Sequence, residues 1–149
     1  MTSSFKNNDT ATSKKGTQFK FGHYSITLID TIICSELSGL ATPEALREYD
    51  KEIEKIILQL EGKPWGFLAN IHGTGIVTPE AEGMLIKGVL RRKSMGMYAS
   101  VIVAADTEIP ALVQQQFARI YKASDVSYAF CSTKEEGIAW LKEQGKAKG

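Results

Sequence analysis

From Tyr24 onward, apolar and polar residues repeat with one of two periods, and each change of period marks a boundary between elements. In Tyr24-Ser25-Ile26-Thr27-Leu28-Ile29 the alternation is that of a half-buried strand. Asp30-Thr31 interrupts it, and Ile32-Ile33-Cys34-Ser35-Glu36-Leu37 resumes, which predicts an antiparallel hairpin with a tight turn. After Ser38-Gly39 the spacing lengthens. Leu46, Tyr49, Ile53, Ile56, Ile57 and Leu60 recur at helical spacing, the apolar face of a helix from about Pro43 to Leu60, with Gly62 as its stop. Trp65 to Ile71 reads as a mostly apolar strand. A polar, glycine-rich loop, His72-Gly73-Thr74-Gly75, leads to a second helix that turns Met84, Leu85 and Val89 inward and ends near Arg91-Arg92-Lys93. Tyr98 to Ala104 is apolar on both faces, as a central parallel strand is. A third helix has Pro110 near its start and Leu112, Val113, Phe117, Ile120 and Tyr121 within it. Val126 to Cys131 reads as a strand, and Ser132-Thr133-Lys134-Glu135-Glu136 opens a last helix containing Ile138 and Leu141.

The order ββαβαβαβα predicts an α/β domain: a mostly parallel sheet of about five strands with an N-terminal antiparallel hairpin, and about four helices on its faces. Ligand-bearing loops in such folds lie at the carboxyl ends of the strands.

Two of the helix starts share the tetrapeptide Thr-Pro-Glu-Ala, at residues 42–45 and 78–81. Threonine can cap the first turn, proline fits the first helical position, glutamate favours the positive end of the dipole, and alanine propagates the helix. The flanking sequences otherwise look dissimilar, so the repeat reads as one physical solution found twice.

Composition narrows the class. A length of 149 residues, 43% of them apolar, fits one domain with a full core, placed at residues 21–145 with a short tail at 146–149. The net charge of +1 argues against a chain built mainly for nucleic acid or an anionic membrane. Residues 1–20 carry Lys6, Lys14, Lys15 and Lys20 against Asp9, and their polar composition reads as a disordered basic tail. That tail lacks the apolar stretch of a signal peptide, and no run is long enough to span a membrane, so a cytoplasmic location is expected. Cys34 and Cys131 then read as reduced, structural thiols. With no CxxC and only His23 and His72 as imidazoles, neither a metal site nor a cofactor is expected.

The hairpin ending in Leu37-Ser38-Gly39 and running directly into a long helix resembles the STAS domain, in particular the stand-alone bacterial branch described as sharing a STAS/SEC14-like fold. The likeness covers roughly Phe21 to Glu143. It implies a regulatory or ligand-binding module whose second helix borders the partner surface. In switching members a serine at the start of that helix is phosphorylated, within a segment resembling D-L-S-G-x-x-x-x-D-S-S-G. Laid on from Asn70, Gly73 matches the glycine, Thr78 takes the place of the second aspartate, and Pro79 and Glu80 take the places of the serines. Neither can accept phosphate. A module without the phosphoserine switch is therefore expected, and Thr74 and Thr78 are not carried over as modification sites.

The candidate binding residues are Asn70, His72, Gly73, Thr74, Gly75 and Thr78, between a strand's carboxyl end and a helix start, with Lys87, Arg91 and Arg92 on the helix that follows. Two glycines can present backbone N–H groups to an anion, although no lysine completes a phosphate loop. Two functions remain open. One is a non-enzymatic module that binds a protein partner or a small apolar or anionic ligand, with a homo-oligomer as one arrangement. The other is a small α/β enzyme that works from the His72 edge with Asn70 and Asp106. A buried apolar pocket beneath the loop would favour a ligand, and a flat apolar patch rimmed by the basic residues would favour a protein.

Overall fold

The computed structural model describes residues 14–19, 22–39 and 41–148. Its elements are β1 (Lys14–Phe19), β2 (Gly22–Ile29), β3 (Ile32–Gly39), α1 (Pro43–Gln59), β4 (Trp65–Gly73), α2 (Pro79–Ser94), β5 (Met97–Thr107), α3 (Pro110–Ser124), β6 (Tyr128–Cys131) and α4 (Lys134–Lys148). From β2 onward the order is the ββαβαβαβα that the periodicity predicts. The strands lie side by side in sequence order, antiparallel from β1 to β3 and parallel from β3 to β6.

Two boundaries differ from expectation. Within the stretch read as a tail, Lys14–Phe19 pairs along β2, with Lys14 opposite Thr27 and Phe19 opposite Gly22. Joining a sheet edge uses backbone groups, so a polar, lysine-bearing segment suffices, and lysines are common on edge strands. Residues 1–13 lie outside the described residues. At the other end α4 runs on to Lys148, through the stretch read as a C-terminal tail. Lysine and alanine are good helix formers, and nothing between Gly145 and Lys148 breaks a helix already anchored at Leu141.

The sequential strand order decides where the helices go. Crossovers of one hand, all stepping the same way across the sheet, place α1, α2 and α3 on one face. There Ile53, Ile57, Val89, Val113 and Ile120 close over Tyr24, Ile26, Phe67, Ile71 and Ile102. α4 follows the last strand and covers the other face, where Leu141 packs with Ile32, Cys34, Leu68 and Val101. Gly137 lets α4 approach closely, since an added Cβ would come within 2.6 Å of Leu68 Cδ1. Among the described residues no helix is long and apolar enough to cross a membrane.

Both TPEA helix starts are built as predicted. Thr42 Oγ1 accepts from Ala45 N–H at 3.3 Å and Thr78 Oγ1 from Ala81 N–H at 3.2 Å. The structure also sets them beside each other. Ala41 and Val77 form a parallel bridge, Ala41 N–H donates to Ile76 O and Thr78 N–H to Ala41 O. The two identical starts thus make one seam at the carboxyl edge of the sheet.

Candidate functional site

That edge carries two sites, one on each face of the sheet. Side chains alternate along β4, so Ile71 turns toward α1–α3 while Asn70 and His72 line a cleft on the α4 side.

On the α4 face, Glu36, Asn70, His72, Asp106 and Lys134 line this open cleft with Ser132 and Thr133. His72 is clamped: Nε2 lies 2.6 Å from Glu36 Oε1 and Nδ1 lies 2.6 Å from Asp106 Oδ2. Asn70 Nδ2 donates to Glu36 Oε2 at 3.4 Å, and Lys134 Nζ stands 3.7 Å from the same oxygen. The hydrogen bond to Glu36 raises the His72 pKa most, Asp106 adds to it, and partial burial opposes both. Two carboxylates favour the doubly donating, cationic form of the imidazole, and in that form it has no lone pair for a general base. Asn70, His72 and Asp106, the residues named for an enzyme, are brought together, but as an ion cluster.

On the helix face lies a cavity of about 90 Å³ between the sheet and α1, α2 and α3. Ala41, Gly75, Ile76 and Val77 form its wall at the seam, and Phe67, Ala69, Ile71 and Ile102 form its floor. Its lining is chiefly apolar; His23 and Ser38, hydrogen-bonded to each other at 3.0 Å, line it too, and three further polar groups stand out. Tyr49 Oη is hydrogen-bonded to Ser35 Oγ at 2.8 Å, and Tyr121 Oη accepts from Ser100 Oγ at 2.7 Å. Burial pushes both phenols up, Tyr121 to about 12, against the opposing pull of the Arg92 charge and the serine hydrogen bonds. Arg92, only 5% exposed, lies 5.6 Å from the Tyr49 ring centroid and 5.3 Å from that of Phe67, and its Nη2 donates to Asp50 Oδ1 at 2.6 Å.

The remaining candidates fall in different places. Gly75 is buried and lines the cavity with φ +65°, and its carbonyl accepts from Gln116 Nε2 at 2.8 Å. Gly73 is exposed with φ +73°, and its carbonyl accepts from Glu108 N–H at 2.8 Å. The three amides after Gly75 are taken by the protein itself: Ile76 N–H donates to Thr74 Oγ1, Val77 N–H to Gln116 Oε1 and Thr78 N–H to Ala41 O. An anion at Gly73–Gly75 therefore cannot draw on the three amides that follow. Thr74 is exposed, Thr78 caps α2, and Lys87 is exposed. Arg91 binds Glu54 on α1, with Nε 2.6 Å from Oε2, so the adjacent arginines clamp α2 to α1 rather than forming one basic surface.

In the sequence, Tyr49 and Tyr121 are indistinguishable from ordinary core residues, and the candidates drawn from it include neither Gln116 nor Glu36. A signal exists for Arg92: Leu85, Val89 and Arg92 follow one another at helical spacing, which puts the arginine on the apolar face. Among the described residues no group of three His, Cys, Asp or Glu side chains could hold a metal ion.

Comparison with family models, curated proteins and solved structures finds no match to this chain. The two sites therefore carry the functional reading.

Proposed function

We propose that the chain is a STAS-like, non-enzymatic module that binds a small apolar ligand in the cavity beneath the β4–α2 loop. The order of elements and the passage from hairpin through Gly39 into a long helix support the STAS-like part. The cavity carries the binding part: an apolar hollow at the carboxyl edge of a parallel sheet, walled by the seam between two helix starts, is where such folds hold ligands. It is smaller than the apolar cavity of about 150 Å³ known to take benzene, so a slender ligand fits it. Binding of 1-butanol, followed by methyl NMR, tests the reading. Methyl signals of Ile71, Val77, Val89 and Ile102 should shift, and Ala69→Leu, which fills the floor, should abolish the shift in a folded protein. No shift in the native chain, or shifts that survive Ala69→Leu, would remove the proposal.

A second reading draws on the Glu36–His72–Asp106 cluster, which gathers the residues an enzyme would use at one cleft. The engagement of both imidazole nitrogens weighs against it. Under that reading His72→Ala abolishes a turnover, whereas under the binding reading it leaves cavity binding intact.

A further inference from the structure

The cavity is not uniformly apolar, and its polar groups are incompletely paired. Arg92 Nη2 has Asp50 as acceptor, but Nε and Nη1 have no hydrogen-bond acceptor among the described residues. Tyr121 Oη accepts from Ser100 Oγ, and its own hydrogen likewise has no acceptor among them. Both side chains line the cavity, and Arg92 is 5% and Tyr121 3% exposed. Among the described residues Ser25 Oγ is the one sealed side-chain polar atom without a partner, so the Arg92 nitrogens are open to whatever enters the cavity, and a hydrogen bond to a charged donor is worth more than one to a neutral donor. Two such donors on one apolar hollow define a complementary molecule: an apolar body with a compact acceptor at one end.

We infer that the ligand is a short-chain carboxylic acid, its carboxylate meeting the Arg92 guanidinium and the Tyr121 hydroxyl and its alkyl chain lying along Phe67, Ala69, Ile71 and Val89. The inference rests on the ligand-binding reading above and adds the chemistry of the ligand. A planar guanidinium suits a carboxylate, which can accept from two of its N–H groups at once. Asp50 does not compete for those groups, because it is bound through Nη2 and its side chain is 34% exposed to solvent at the outer side of the pair. The cavity's volume limits the alkyl chain to a few carbons, with Met84, Leu85 and Ile86 on α2 only partly buried beside the core.

Titration of the native chain at neutral pH with butanoate, pentanoate and hexanoate, and with 1-butanol, 1-pentanol and 1-hexanol, tests this by methyl NMR. Each acid should bind about tenfold or more tighter than its alcohol, as a hydrogen bond to a charged group implies. Affinity should rise about fourfold per carbon until the cavity is full. Arg92→Met should remove the preference for the acid and leave the alcohols bound, and Tyr121→Phe should reduce the preference. Should Arg92→Met fail to fold, Arg92→Lys, which keeps the charge without the planar fork, should cut the preference instead. Acids and alcohols binding equally to the native chain would overturn the inference and leave the cavity reading standing. A preference that survives at Arg92→Met, or at Arg92→Lys where that variant is used, would overturn it too. Binding of neither series would overturn the inference together with the cavity reading itself.

Discussion

Gly75 offers a measurement in which backbone strain and packing can be separated. It has φ +65°, and Gly73, two residues earlier, has φ +73°. Alanine at either position meets the left-handed penalty of about 1–2 kcal/mol. Alanine also narrows the unfolded ensemble, which offsets about 0.4–1 kcal/mol at both positions. Their surroundings differ. A Cβ on Gly73 would have its nearest neighbour, Gly39 N, at 3.9 Å. A Cβ on Gly75 would come within 2.8 Å of Val113 Cγ2, 3.2 Å of Ile71 Cγ2 and 3.3 Å of Thr107 Cγ2. Val113 is fully buried on α3, and β-branched side chains have little rotameric freedom with which to yield. Overpacking of this kind costs about 1–3 kcal/mol. Gly73→Ala should therefore lower stability by about 0–1.6 kcal/mol, and Gly75→Ala by about 1–3 kcal/mol more than that. Urea melts of the two variants and the native chain, analysed with a shared slope, give the difference directly. Equal losses at the two positions would refute the claim that close packing at Gly75 shapes this end of the cavity.

Thr42→Ala and Thr78→Ala should each cost about 1 kcal/mol in urea melts, because each removes a side-chain cap from the first turn. No loss at either position would contradict that cap. The His72 pKa is raised from its ordinary value near 6.5, so its stabilising contribution is complete below that value and is lost as pH rises through the folded-state pKa. The urea midpoint should fall over that window in the native chain, and His72→Gln should flatten the fall; an unchanged profile would refute the cation assignment. Arg91 and Arg92 should respond differently to alanine. Arg91, 62% exposed beside Glu54, should leave the melting midpoint nearly unchanged. Arg92→Ala should lower stability by about 1–3 kcal/mol, since it empties a packed position and strands Asp50, an effect that the carboxylate's partial exposure softens. Equal midpoints for the two variants would contradict the burial of Arg92.

The elements are legible in the sequence because each is announced by its own local signal. The Asp30-Thr31 break, the two threonine caps and the Gly62 stop are short-range features, and the hairpin, α1 and α2 appear where those signals stand. β1 is not legible, since a polar edge strand has no apolar face to alternate and is specified by the open backbone edge of β2. The candidate loop can be found from the sequence, but its division cannot. Chain order puts Asn70 through Thr78 on one edge, whereas strand alternation sends His72 to one face and Ile71 to the other, with Gly75 against Val113 of α3. The arginines show the same limit. Consecutive helical residues lie about 100° apart, so Arg91 reaches solvent and Glu54 while Arg92 enters the core. Charge counted along the chain gives one basic patch; charge placed on the helix gives a surface pair and a buried donor.

The β4–α2 connection belongs to both sites, and this makes its glycines more than turn residues. His72 is fixed on the α4 face by Glu36 and Asp106, and Ile71, its immediate neighbour, is part of the cavity floor. Further along, Thr74 Oγ1 donates to Gly39 O and Val77 bridges to Ala41, so the loop is tied to the chain entering α1 as well. Gln116 holds it from a third side through Val77 N–H and Gly75 O. Apart from the short turn in which Ile76 N–H meets Thr74 Oγ1, these contacts all reach other parts of the fold, and no single helix or strand positions the loop alone. The positive φ values at Gly73 and Gly75 let the chain leave the α4 face at His72 and reach the cavity wall by Gly75, a path that residues with a Cβ would follow only under strain. A loop held this way presents a fixed wall, whereas α2 buries Ala81, Val89 and Arg92, compared with five residues each in α1 and α3, so entry of the proposed ligand would draw on α2 first. Of those three, Arg92 is the one whose packing would change with a carboxylate beside it.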